Sequence, residues 1–231
     1  MNFSQWVVKS PAFSIAFTLL VYWPALALHK RWHWIPPVVV ACLPIVALLI
    51  LVREPYAEYD RGGHYLSWWL GPATVALAVP MYRHGMALRN SLPRLVLIVL
   101  VGSVVGMISA GLTAWLLGAP LPVVMSTVPK SVTTPIAIEV CQELKGIPQI
   151  TIALVILAGV LGASFGPPLL RLVGVRDDRA IGAAIGTSAH GIGTASLVQH
   201  SEMQATVSSW AMATAGVFTS LLATLLALFL H

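Results

Sequence analysis

The sequence predicts an all-α membrane protein with several spans, and three observations support that fold class. Of its 231 residues, 58% are hydrophobic and 9% are charged, whereas soluble domains carry about 25% charged residues. Its mean hydropathy is +0.86. Apolar stretches of roughly 20 residues, the length that crosses a bilayer as a helix, follow one another with short loops between them. Such a chain cannot cover a water-facing surface.

About seven or eight hydrophobic segments are predicted, and some of them are interrupted. They lie at 8–28, 35–52, 65–82, 93–117, 120–144, 149–171, 180–199 and 204–230. The first segment resembles a signal peptide, although its length favours a retained span. We expect one transmembrane domain over 1–231, with generic N-terminal spans in 1–64 and a core of interrupted helices in 65–231.

Charge and cysteine patterns exclude several classes of protein. The net charge is +5, but the basic residues stand singly between apolar runs, so no nucleic-acid-binding stripe is predicted. Cys42 and Cys141 lie in apolar stretches without metal-ligand spacing. No phosphate-binding loop of the Walker type is present. We therefore predict no metal and no cofactor.

The segment 120–144 contains a cation at membrane depth. Lys130 lies in a run of seven residues that starts at Pro129 and ends at Pro135. A charge at this depth costs roughly 3 kcal/mol on insertion scales. The two prolines predict a broken helix, which lipid tolerates where protein or water surrounds it. The segment either crosses the membrane or enters and leaves on one side; the second alternative agrees better with the positive-inside rule.

The break around Lys130 is a candidate anion site. Pro135 suits the first turn of a half-helix with Thr134 as its N-cap, which leaves free N–H groups facing the break. A cation, the hydroxyls of Ser131, Thr133 and Thr134, and a helix N-terminus together favour a bound anion. In the alternative interpretation, Lys130 extends to the interface and the prolines only shape a turn.

A second interruption is predicted around His190. It lies in the small-residue run GAAIGTSAHGIGTAS (182–196), where Gly191 and Gly193 weaken the helix. The hydroxyls of Ser188 and Thr194 are further substrate-binding candidates. His190 can titrate near neutral pH and so bind substrate or relay a proton. The alternative is a buried neutral histidine bonded to a neighbouring carbonyl or hydroxyl.

Glu139 is the second candidate for proton coupling, beside His190. It falls about one turn into the predicted half-helix that starts at Pro135. Its carboxylate could form an ion pair with Lys130, carry a coupling proton, or merely lie near the end of the helix.

A third segment, at 71–80, resembles the other two weakly. Pro72 breaks the helix and Thr74 is its polar candidate, although an ordinary kinked helix fits as well. Breaker, hydroxyl and apolar residues recur at 72–75, 129–132 and 186–189, each time 57 residues apart. This recurrence either arises by chance in a hydrophobic sequence or shows that the chain is built from repeats. Secondary carriers are built in this way, and their interrupted helices mark the substrate site.

Three motifs carry a resemblance to a known family. GPATVALAVPMYR (71–83), PKSVTTPIAIEV (129–140) and GTSAHGIGTA (186–195) resemble the LrgB/CidB family and the LrgB-like domain of the plastidial glycolate/glycerate translocator. The resemblance implies a multi-pass protein of the bacterial cytoplasmic (inner) membrane and a small LrgA/CidA-like partner. It implies either transport of small carboxylates or control of murein hydrolase activity and lysis. It supplies no catalytic residues.

We therefore predict a secondary transporter, proton-coupled or facilitative, of small monocarboxylates such as pyruvate, glycolate, glycerate or lactate. The alternative is a holin/antiholin-type regulator of murein hydrolase activity acting with an LrgA/CidA-like partner. Expected partners are the substrate, the lipid bilayer, that small protein and a second copy of the chain. An enzyme is not expected: Ser188 and His190 mimic a serine-peptidase motif, but side chains two apart on a helix do not face each other.

Overall fold

The structure is a computed structural model that describes most of the chain. The described residues are 10–32, 37–69, 72, 75, 76, 79, 82, 88, 89, 91–198 and 200–230. Eight of the 18 residues of the span predicted at 65–82 lie outside them, Thr74 among these eight. The chain divides into two compact units, Met1–Ala76 and Leu77–His231.

The first unit contains three helices. They are α1 (Pro11–Arg31), α2 (Pro37–Val52) and α3 (Tyr56–Trp68). Tyr59 of α3 donates its hydroxyl to the Ser14 carbonyl of α1 at 3.2 Å. Gly62 lies so close to α1 that an added Cβ would stand 2.5 Å from the Pro11 carbonyl oxygen. A glycine is therefore required where α3 packs on α1.

The second unit contains three long helices. They are α4 (Leu92–Leu116), α7 (Pro148–Leu172) and α9 (Glu202–Leu230). Together with α1, they are the described helices that are long and apolar enough to cross a membrane. At 25 residues each, α4 and α7 extend about 37 Å, enough for a bilayer core.

The segment between α4 and α7 folds back on itself. It consists of α5 (Leu121–Thr127), a series of turns, and α6 (Thr134–Glu143). The Ile147 N–H donates to Ser126 Oγ at 2.7 Å, and Thr151 Oγ1 donates to the Ser126 carbonyl at 2.9 Å. The chain after α6 thus returns to the end of α5. We call residues 121–143 hairpin A; its tip is 130–133.

The segment between α7 and α9 also folds back. α8 (Asp178–Leu197) breaks at His190, whose φ and ψ of 40° and −138° are not helical. After the break, Gly193 lies against Ile185 and Ala189, so the second arm runs back along the first. Ser201, which follows the second arm, donates its hydroxyl to Asp178 at 2.7 Å. We call residues 178–197 hairpin B; its tip is His190.

These findings decide two expectations about the spans. The segment 120–144 folds back on itself, which agrees with the alternative in which it enters and leaves on one side. The crossing predicted over 180–199 is wrong, because the residues flanking this segment meet through Asp178 and Ser201. The total of seven or eight segments and the internal repeat stay predictions.

The two hairpins enter from opposite ends of α7. The ends of hairpin A adjoin the end of α4 and the start of α7, whereas the ends of hairpin B adjoin the end of α7 and the start of α9. A straight helix of 25 residues holds its two ends far apart. The tips therefore approach each other from opposite sides of the second unit.

Candidate functional site

Both hairpins contact the middle of α4. An added Cβ on Gly106 would lie 3.8 Å from Ser131 Oγ in hairpin A, and one on Gly102 would lie 3.1 Å from Thr187 Cγ2 in hairpin B. The two glycines are one helical turn apart, about 6 Å along the axis. They flank Val104, the central residue of α4. Small residues let both hairpins come close to the helix at half its length.

Both tips also meet α7 at Val155. Val132 of hairpin A packs with Ala137 and Val155 in one buried apolar cluster. His190 of hairpin B lies 2.9 Å from the Val155 carbonyl oxygen through Nε2. Hence both interruptions predicted from the sequence lie against α7 in the region of Val155.

The tip of hairpin A presents positive charge and free N–H groups. Lys130 is half-buried and donates from Nζ to Ser131 Oγ at 3.2 Å. The N-cap of α6 is Thr133, not Thr134 as predicted, and no side chain caps it. The shift of one residue arises because Thr134 already has helical geometry, with Pro135 beside it in the first turn. The first N–H groups of α6 therefore lack a side-chain acceptor at the tip.

The tip of hairpin B holds a histidine in a conformation that L-residues rarely adopt. His190 is 3% exposed and has a positive φ. Since the Val155 carbonyl only accepts, Nε2 must carry the proton of this hydrogen bond. In the neutral ring Nδ1 is then an acceptor, and it has no hydrogen-bond partner in the described part of the chain. Backbone strain of this kind is typical of functional sites.

Thr194 holds the tip of hairpin B in place. Its hydroxyl donates to the His190 carbonyl at 2.8 Å and lies 2.8 Å from Ser208 Oγ of α9. Thr194 is fully buried. Its hydroxyl thus joins three parts of the protein, and its predicted contact with substrate stays a prediction.

The two glycines after His190 differ in their surroundings. A Cβ on Gly193 would lie 2.6 Å from Ala189 Cβ and 2.8 Å from Ile185 Cγ2. A Cβ on Gly191 would meet only Met212 Sδ, at 3.8 Å. Close packing of the two arms requires Gly193, while Gly191 stands in ordinary contact.

Three other predicted site residues are exposed and form no hydrogen bond or ion pair with one another in the described part of the chain. Ser188 is exposed and donates to the Ala184 carbonyl of its own helix at 2.7 Å, so it does not bond His190. Glu139 is exposed on α6 and forms no ion pair with Lys130 in the described structure. Pro72 is described and exposed.

Three residues of this region are missing from the sequence-based prediction. Val155 and Ser208 look like ordinary helix residues, and nothing in the sequence distinguishes them. Ser103 stands beside Gly102 in a stripe that predicts helix contact only. Its position at the middle of α4, between the contacts of both hairpins, follows only from the fold.

A cavity of about 490 Å³ lies elsewhere in the second unit, between α4, α5 and α9. Its walls are apolar side chains, among them Met107, Trp115, Met125 and Leu226. No charged residue lines it, so it does not suit an anion. The polar chemistry is concentrated at the hairpin tips.

Taken together, the tips offer groups that bind a small anion. Lys130 supplies a cation, and the N-terminus of α6 supplies N–H groups and the positive end of a helix dipole. His190 supplies a neutral acceptor atom at Nδ1. A cation and N–H donors stabilise a carboxylate, and the acceptor suits a proton or a hydroxyl on the same ligand.

Comparisons with known proteins agree over nearly the whole chain. Residues 18–229 match the model of the LrgB-like family. The uncharacterized protein YwbG of Bacillus subtilis is 38% identical over 208 residues, which cover 89% of this chain and 92% of that protein. A Bacillus cereus protein named antiholin-like protein LrgB is 30% identical over 213 residues, 91% of this chain and 93% of its own.

A third relative, an uncharacterized protein of Haemophilus influenzae, is 34% identical over 208 residues, covering 89% of this chain and 90% of the relative. No solved structure matches the chain.

Proposed function

The chain belongs to the LrgB-like family, and from that premise we propose that it is a secondary transporter of small monocarboxylates. The substrate binds where the tips of hairpins A and B meet, beside the middle of α4. Candidate substrates are pyruvate, glycolate, glycerate and lactate. A proton gradient or the substrate gradient alone drives the movement.

One observation carries this proposal: two broken segments enter from opposite ends of α7 and meet at Val155. Secondary carriers commonly bind substrate near the bilayer midplane between interrupted helices, and access then alternates around a fixed site. Hairpin A would close the site toward one side, and hairpin B toward the other. A continuous pore does not require two opposed tips.

The chemistry of the tips supports a carboxylate as the substrate. Lys130 and the first N–H groups of α6 bind the two carboxylate oxygens. The acceptor Nδ1 of His190 takes a proton that travels with the substrate. The exposed carboxylate of Glu139 is the other proton carrier to be tested, because it stands on α6 without an ion pair.

The positions of the helices support a repeat-built carrier. Hairpins A and B begin 57 residues apart, at Leu121 and Asp178. Their return arms begin at Thr134 and Gly191, again 57 residues apart. Both preceding helices, α4 and α7, have 25 residues. We propose that helix plus hairpin is a unit that occurs twice with inverted orientation.

Uptake into liposomes tests the proposed transport. The purified chain is reconstituted with and without an LrgA/CidA-like partner, and labelled pyruvate, glycolate and lactate are followed with and without an imposed pH gradient. We expect saturable uptake that Lys130→Ala removes. Absence of uptake in every condition would contradict the proposal. If a pH gradient stimulates uptake by Glu139→Gln but no longer by His190→Gln, His190 carries the coupling proton. If the gradient stimulates uptake by His190→Gln but no longer by Glu139→Gln, Glu139 carries it.

A second candidate function is regulation of murein hydrolase activity together with an LrgA/CidA-like partner. In its favour, relatives from Bacillus cereus are named antiholin-like protein LrgB. Lysis rates of cells lacking the chain, complemented with wild type or with Lys130→Ala, separate the two functions. If Lys130→Ala abolishes uptake but restores the wild-type lysis rate, regulation does not depend on transport.

A further inference from the structure

Ser103 carries a buried hydroxyl that has no partner. It lies in α4 and is 5% exposed. Among the residues that the structure describes, no other buried side-chain hydroxyl lacks a hydrogen bond. In an apolar surrounding, such a group costs free energy until something bonds to it.

The missing bond is unusual because a helix offers its own acceptors. Serine and threonine inside helices commonly donate to the carbonyl four residues back. In this protein Thr113 does so with Ser109 at 2.6 Å, and Ser126 does so with Pro122 at 2.6 Å. Ser103 leaves this local bond unmade, so its hydroxyl is available to a partner outside its helix.

The position of Ser103 places it at the level of both hairpin tips. It adjoins Gly102, which touches hairpin B at Thr187, and precedes by three residues Gly106, which touches hairpin A at Ser131. At about 100° per residue, Ser103 lies roughly 60° around the helix from Gly106 and roughly 100° from Gly102. Ser103 therefore lies on α4 between the contact of hairpin A at Gly106 and the face on which Val99, four residues earlier, packs against Ala211 and Ala215 of α9.

We propose that the Ser103 hydroxyl hydrogen-bonds to the uncharged oxygen on C2 of the bound monocarboxylate. This rests on the proposed function and adds a specificity-determining residue to it: the hydroxyl distinguishes the 2-hydroxy and 2-oxo acids named above from acids without an oxygen on C2. Lys130 and the N-terminus of α6 carry the positive charge that attracts the carboxylate. A neutral hydroxyl from α4, at the level of the tips, suits the remaining neutral oxygen, to which it can donate.

Two acids that differ by one oxygen test this proposal. The KM of glycolate uptake and the inhibition constant of acetate against that uptake are measured for wild type and Ser103→Ala. We expect the glycolate KM to rise about tenfold, the loss of one hydrogen bond, with the maximal rate and the acetate constant unchanged. Ser109→Ala is the matched control, because Ser109 is exposed on the same helix and bonds to Gly106.

Equal changes for both acids, or no change for either, would overturn the role of Ser103 while leaving transport intact. If wild type transports no carboxylate, the proposed function is wrong. Thermal unfolding then tests separately whether the Ser103 hydroxyl binds the ligand. Without ligand, Ser103→Ala should unfold no lower than wild type, because the alanine removes an unbonded hydroxyl. Added glycolate should raise the unfolding temperature of wild type more than that of Ser103→Ala. A lower unfolding temperature of ligand-free Ser103→Ala, with an unchanged glycolate shift, means a structural role only.

Discussion

His190 donates its Nε2 proton to the carbonyl oxygen of Val155, 2.9 Å away, across the contact between hairpin B and α7. Gly159, one turn along α7, makes room for the ring: a Cβ there would lie 2.8 Å from His190 Cε1. The bond fixes the tautomer of the histidine and orients Nδ1. Because Val155 also packs against Val132 of hairpin A, this hydrogen bond links the two tips.

The cation at the tip of hairpin A should be essential for substrate binding. Lys130→Ala should weaken carboxylate binding by at least about tenfold, because a charge-assisted hydrogen bond is lost. Lys130→Arg keeps the charge and should retain part of the affinity. Calorimetry or tryptophan fluorescence with purified protein measures both. Lys30→Ala, which removes an exposed lysine of α1, is the control. Wild-type affinity in Lys130→Ala would return Lys130 to an interfacial role.

Of the two glycines after His190, only Gly193 should be sensitive to alanine. Gly193→Ala inserts a methyl group between the arms of hairpin B and should destabilise the protein by about 1–3 kcal/mol, as overpacking does. Gly191→Ala has room beside Met212 and should behave like wild type. Thermal unfolding in detergent compares the two variants. Equal stability of the two variants would contradict the folded-back geometry of hairpin B.

Both interrupted helices could be located from the sequence, but a reversal of chain direction was expected, as one alternative, only for the segment 120–144. The prolines at 129 and 135 on either side of Lys130 predict a break in the helix, because proline removes a helical hydrogen bond. At His190 the residue with positive φ is the histidine itself, whereas the sequence points to its glycine neighbours. The reversal there depends on contacts such as Asp178 with Ser201, which join residues 23 apart and have no local signature.

The hydroxyl pair of Thr194 and Ser208 should couple hairpin B to α9. Interhelical hydrogen bonds in membranes contribute about 0.6 kcal/mol on average. In a double-mutant cycle, Thr194→Val, Ser208→Ala and the double variant should show a coupling free energy of that size in unfolding experiments. Ser196→Ala is the control, because the Ser196 hydroxyl donates to the Gly193 carbonyl of its own arm. Strictly additive effects would mean that the 2.8 Å contact contributes nothing.

Acid should weaken the contact between the two ends of hairpin B, its mouth, where Ser201 and Gln204 donate hydrogen bonds to Asp178. Hydrogen bonds from Gln204 and Ser201 hold the pKa of the Asp178 carboxyl below its ordinary value. A carboxyl with a lowered folded-state pKa stabilises the protein fully above its unfolded pKa, near 4, and loses this contribution as pH falls through the folded pKa. Unfolding temperatures should therefore contain an Asp178 contribution that is constant from about pH 7 to pH 5 and declines below about pH 4.

Asp178→Asn separates this contribution from the other carboxyls. Asparagine keeps one of the two acceptor oxygens and does not titrate, so the variant should be less stable at neutral pH and should approach wild type in acid. A constant stability difference between the two proteins from pH 7 to pH 3 would show that the ionised carboxylate does not stabilise the mouth of hairpin B.

We infer that both hairpin tips form one substrate site, and labelling of single cysteines from each side of the membrane can test this claim. In a background with Cys42 and Cys141 replaced, single cysteines at Ser131 and Ser188 are treated in liposomes with a membrane-impermeant thiol reagent from either side. Glycolate should slow labelling of both positions with the same half-saturating concentration, and this concentration should match the KM of glycolate uptake. Labelling of either position at a rate that glycolate does not change would contradict the claim.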